Sequence, residues 1–223
     1  MWCAMTPWGC FEALQLKGLT GIFLVVGLIM TADFILDPIR GPHLLAVVVG
    51  MGTALYSDLR TLHKISRPLS THDLDEVRRI HFIVTLAFVG IWASGVGLIW
   101  YRTEFVLEVF SPKLWSKMIV VTVLTANAIV LAAFVLPSLK LYVGTPLITL
   151  PRRVLAPMSI VAGVSAACWV LALTLGFSKV LKTAPWDVLI PFLMTGFAVG
   201  IGGSVLMVFG LRFFDRKAQQ NNP

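Results

Sequence analysis

Residues 81–100 read HFIVTLAFVGIWASGVGLIW, 20 consecutive positions without a Lys, Arg, Asp or Glu. Coiled as an α-helix at about 1.5 Å per residue, this run is ~30 Å long, which matches the hydrocarbon core of a bilayer. Inside lipid no water is available to the peptide groups, so a run of this kind must satisfy its own backbone as a helix. The residues before it, SRPLSTHDLDEVRRI, carry a helix start: Ser70 or Thr71 can cap, and Asp73, Asp75 and Glu76 favour the positive N-terminal end. The helix is therefore expected to begin in water near residue 72 and then enter the membrane.

Working outward, the same pattern recurs. Six spans are predicted, at about 18–36, 43–62, 80–101, 115–136, 157–178 and 187–211. They make a single all-α transmembrane domain over residues 1–223. Asp37-Pro38, Gly41-Pro42, Pro68, Pro112, Pro137, Pro146, Pro151, Pro157 and Pro185 punctuate the runs, because proline cannot continue a helix without losing a backbone bond. Composition agrees: 57% of the 223 residues are hydrophobic and 13% are charged, about half the charge of an ordinary soluble domain.

The net charge is +7. Basic residues sit between the apolar runs, which makes them topology signals and excludes a nucleic-acid face. With six spans both termini share a side with the 58–80 and 137–156 connections. That side carries 12 of the 18 Lys and Arg, so the bias predicts cytoplasmic termini in a bacterial inner membrane. Trp100, Tyr101, Trp115 and Trp186 fall at the opposite interface, where amphipathic rings are favoured. The start, MWCAMTPWGCFEALQLK, has no basic leader and is not read as a cleaved signal peptide.

Small residues at four-residue spacing, Gly196/Gly200 and Gly90/Ser94, mark faces where backbones approach closely. They serve a compact bundle or a homodimer (or larger membrane complex) equally well. Among polar residues at depth, Asn127 reads as interhelical glue. Ionisable groups fall into two layers. The outer layer holds Asp33, Asp37, His43, Glu104, Glu108 and Lys117, with Asp33 and Lys117 either a buried pair or solvated at the interface. The inner layer holds Asp58, Arg60, His63, His72, Arg78, Arg79 and His81. Most of it reads as a solvated basic connection, but Asp58 and His81 lie at the ends of apolar runs, where an ionisable side chain needs a partner, water or a purpose.

HLLAVVVGMGTALYSDLR, HFIVTLAFVGIWASGVGLIW and PKLWSKMIVVTVLTANAIVLAAFVLP together resemble the CopD-like predicted bacterial membrane proteins, which are distantly similar to b-type cytochrome bundles. The likeness covers about residues 43–137. It rests on His43 opening a glycine-containing helix, His81 opening a helix with Trp92, Ser94 and Gly95 in a W-x-S-G pattern, and Lys117 in the run LWSKM. The resemblance implies copper handling or haem binding. A b-type haem needs two axial ligands at one depth. His43 with Met118 would serve at the outer side, and His63 with His81 at the inner. Copper(I) prefers soft ligands, and the N-terminal Met1, Cys3, Met5 and Cys10 offer them; Cys168 reads as a buried packing residue.

The chain has no G-x-S-x-G, no H-E-x-x-H and no phosphate-cradling glycine loop, so no catalytic residue is assigned. Three readings stay open. The leading one is a non-enzymatic scaffold, accessory subunit or small transporter-like protein. The others are a haem or copper protein using His43, and an ion- or proton-coupled carrier using Asp33, Lys117 and Asp58.

Overall fold

The computed structural model describes residues 38–220. The first expected span, with Asp33 and Asp37, and the N-terminal Cys3, Met5 and Cys10 lie outside the described residues. Those that are described form five helices and no strand. Helix α1 occupies 38–63, and α2 runs Thr71–Thr103. Helix α3 runs Pro112–Lys140, α4 Arg152–Phe177 and α5 Trp186–Gln220. Helices α2 to α5 are long and apolar enough to cross a membrane. Their outward faces carry exposed Phe82, Leu86, Phe134, Val170, Val199 and Leu206. A continuous apolar exterior of this kind suits lipid and not water.

Local chemistry sets the helix ends. Ser70 closes a capping box on α2: its Oγ accepts from the Asp73 N–H at 3.1 Å, and Asp73 Oδ2 accepts from the Ser70 N–H at 3.1 Å. Ser111 caps α3 ahead of Pro112 in the first turn. Three of the expected proline breaks do not occur, the first because α1 already runs from residue 38 and carries Pro42 inside it. Helix α4 begins at Arg152, five residues before the predicted start, and carries Pro157 inside it. Helix α3 passes Pro137 through a π-turn over Leu131–Val135, where the Leu136 N–H reaches the Leu131 carbonyl. In a regular α-helix the proline ring collides with the carbonyl four residues back. The wider π-turn just before Pro137 relaxes the spacing there.

Helices α3, α4 and α5 form a tight trio, and α1 and α2 form a hairpin against it. Three backbone bonds join the two connections at one end of the bundle: Leu69 N–H to Thr145 O (3.2 Å), Gly144 N–H to Leu69 O (2.8 Å) and Ile148 N–H to Ile65 O (3.0 Å). Arg212 of α5 adds a bond to the Leu150 carbonyl at 2.9 Å. We call this the clasp end. Ile65, Leu69, Leu139, Ile148 and Leu150 bury beneath it. A second core, with Val120, Leu124, Cys168, Leu175 and Leu189, fills the far half of the bundle.

Candidate functional site

Between the hairpin and the trio lies a cleft of about 450 Å³. All five helices contribute to its wall. It runs from the clasp end, where Arg60, Lys64, Arg67, Asp73 and Glu76 frame it, to the middle of the bundle at Phe88, Leu124, Asn127 and Trp169. Most of the wall is aliphatic.

The rim is charged but largely paired. Arg60 bridges to Glu76 and Lys64 to Asp73, so two ion pairs tie α1 to the first turns of α2. Tyr56 Oη accepts from Arg60 at 2.8 Å and reaches Glu76 at 3.4 Å. Arg78 pairs with Asp75 at 3.6 Å on the outside. Arg67, His63, His72 and Arg79 are exposed to solvent. His72, Asp73 and Glu76 place metal-ligand atoms within 4.8 Å of one another, but both carboxylates already answer cations.

Asp58 and His81 differ from this rim. Both side chains are half-buried and line the cleft. Among the described residues no hydrogen bond or ion pair reaches either one. Their neighbours in the wall are Ala54, Ile80, Val84 and hydroxyls such as Ser57 and Ser165.

Deeper in, Asn127 Nδ2 donates to the Val161 carbonyl of α4 at 3.0 Å. The amide is therefore structural glue between α3 and α4, and no hydrogen bond engages its Oδ1. Ser204 Oγ donates to the Ser159 carbonyl at 2.8 Å, joining α5 to α4 along the same wall.

The cleft ends in an aromatic plug. Phe88 and Trp169 stack with ring centroids 5.9 Å apart and planes 12° apart. Trp169 presses against Gly50 of α1 so closely that a Cβ there would lie 2.7 Å from its Cη2. The indole is 2% exposed and its Nε1–H has no hydrogen-bond partner among the described residues. Trp92 Nε1 donates to Thr125 Oγ1 at 3.1 Å and holds α2 to α3 on the far side of the plug.

His43 sits in the far half, away from this cleft. Its Nδ1 and Ser94 Oγ are 2.9 Å apart. Ser94 already spends its proton on the Gly90 carbonyl, so the imidazole must donate and its Nε2 keeps the lone pair. Met118 is half-buried on α3 beside Lys117. Fifteen helical residues separate His43 from Asp58, about 22 Å along α1, so the two belong to different ends.

The small-residue faces are occupied within the chain. A Cβ on Gly200 would lie 2.6 Å from Ala167 Cβ and 2.9 Å from the Gly163 carbonyl, and one on Gly196 2.6 Å from Leu171. A Cβ on Gly90 would meet Ala46 at 3.1 Å. These faces pack α5 on α4 and α2 on α1.

Sequence reasoning missed Trp169, Gly50 and Phe88. A signal existed for the first: tryptophan belongs to membrane interfaces, and Trp169 falls at the centre of an apolar run. No family model, curated protein or solved structure matches the chain.

Proposed function

We propose that the chain is a small transporter-like membrane protein of the bacterial inner membrane, with six spans and both termini in the cytoplasm. On that orientation the clasp end is cytoplasmic, in accord with its share of Lys and Arg. The observation that carries the reading is the cleft of about 450 Å³, which runs from the ion pairs of the clasp end to the Phe88–Trp169 stack at mid-bundle. A scaffold has no use for a cavity of this size with two unpartnered ionisable side chains in its wall, since each costs at least a few kcal/mol at depth. A carrier needs such a compartment, placed between a gate of packed side chains and a rim of ion pairs that can break and re-form.

The test is access from both sides. Ser165→Cys, in a background of Cys3→Ser, Cys10→Ser and Cys168→Ala, places one thiol in the cleft wall. A membrane-impermeant methanethiosulfonate should label it rapidly from the clasp side in inside-out vesicles. It should also label it slowly but measurably from the far side in right-side-out vesicles. Labelling confined to one side under all conditions would rule out a carrier, and no labelling from either side would rule out the cleft.

A further inference from the structure

We infer that the cleft binds a lipophilic organic cation, with the Asp58 carboxylate as its counter-charge; this deepens the carrier reading and rests on it.

The first argument is a charge balance. At the rim Arg60 answers Glu76 and Lys64 answers Asp73, while Arg67 stands in solvent. Inside the rim the ionisable side chains are Asp58 and His81, and neither has a partner among the described residues. Asp58 is the one carboxylate inside the rim among the described residues. An ionised carboxylate in an apolar wall is stabilised chiefly by a positive charge brought to it.

The second argument is the polarity of the remaining groups. The Asn127 amide spends one of its two N–H groups on Val161, and its carbonyl oxygen accepts no hydrogen bond among the described residues. The Ser159 hydroxyl is spent on the Leu155 carbonyl and the Ser204 hydroxyl on the Ser159 carbonyl, so each offers the cleft oxygen lone pairs and no free proton. Asp58 accepts only. Ser57, Thr61 and Ser165 line the same wall with hydroxyls that both donate and accept, so the Asp58 carboxylate is the group there that calls for a positive charge.

The third argument is shape and surface. The volume of about 450 Å³ is far more than a metal ion or ammonium needs and lies in the range of small-molecule sites. The wall is aliphatic, and the stacked, almost wholly buried Phe88 and Trp169 rings close its floor. A bulky apolar body with one positive centre meets all three conditions. A carboxylate- or phosphate-bearing amphiphile would set its anion against Asp58.

The experiment uses tetraphenylphosphonium as the probe and tetraphenylborate as its anionic counterpart of the same shape. Equilibrium dialysis of the full chain in detergent, against matched empty micelles, should show saturable binding of the phosphonium. Asp58→Asn should weaken it at least tenfold, and Asp58→Glu should retain it within about threefold. Tetraphenylborate should not displace it. Removing an unpartnered buried charge should leave the thermal midpoint of Asp58→Asn no lower than that of the parent, which separates loss of binding from loss of fold. Absence of saturable binding, unchanged binding in Asp58→Asn, or displacement by tetraphenylborate as effective as by the phosphonium itself would each overturn the inference. If Ser165→Cys is reached from both sides but the phosphonium does not bind, the carrier reading survives and only the ligand chemistry fails.

Discussion

Asn127 shows how one side chain serves two surfaces. Its Nδ2 crosses from α3 to the Val161 carbonyl of α4, and the residue also lines the cleft. Interhelical hydrogen bonds of this kind average ~0.6 kcal/mol and reach about 1.7. Asn127→Leu should therefore lower stability by about 1 kcal/mol, read as the urea or thermal midpoint in detergent. A loss above ~3 kcal/mol would mean that the amide holds more than that single bond. The residue was legible in sequence as glue because a lone amide in an apolar run has few other uses. Asp58 and His81 stood out for a similar reason. Which way they face was not legible, because that depends on the rotation of α1 and α2 about their axes, and the six-span reading fixes only depth.

At the scale of the helix, the contact between α4 and α5 turns on two glycines. A Cβ on Gly163 would lie 2.7 Å from the Gly200 carbonyl oxygen, and one on Gly200 2.6 Å from Ala167 Cβ. Backbone and a methyl are on the other side, so neither can swing away. Gly200→Ala should cost about 1–3 kcal/mol, the usual penalty of overpacking. Gly202→Ala, two residues on, has nothing within 4 Å and should be neutral or stabilising by up to ~1 kcal/mol through helix propensity. Equal midpoints for the two variants would refute the close approach. The sequence revealed Gly196 and Gly200 as a packing face but not its partner. Spacing of 4 is read equally well by a neighbouring helix of the same chain or of another. Prolines misled for a physical reason. Pro42, Pro137 and Pro157 were expected to fall between helices, yet the chain absorbs Pro137 after a π-turn and the other two near helix starts, and neither accommodation has a signature in composition.

Viewed whole, the described chain is a hairpin and a trio joined by short backbone bonds at the clasp. Gly144 makes that junction at φ +86°, a left-handed conformation in which its N–H reaches the Leu69 carbonyl at 2.8 Å. A β-branched residue resists that geometry by roughly 1–2 kcal/mol. Gly144→Val should lower the midpoint by that amount, whereas Gly176→Ala, a helical glycine with an open environment, should not. If Gly144→Val melts like the parent, the clasp contributes nothing to holding the two parts together. Helices at five of the expected positions were readable from hydropathy, because each run needs only enough apolar residues to span. Their grouping into two and three was not, since it depends on contacts far apart in sequence such as Gly50 with Trp169.

The clasp also orders events in time. Residues 65–69 leave the ribosome long before 144–148, so α1 and α2 are made before the wall they will face. During that interval the two rim ion pairs, Arg60–Glu76 and Lys64–Asp73, lie wholly within the hairpin and can form at once. Asp58 and His81 gain their compartment only when α3, α4 and α5 arrive. The newborn hairpin thus carries its heaviest lipid-exposed burden early, and the clasp can close only after the third helix has been made.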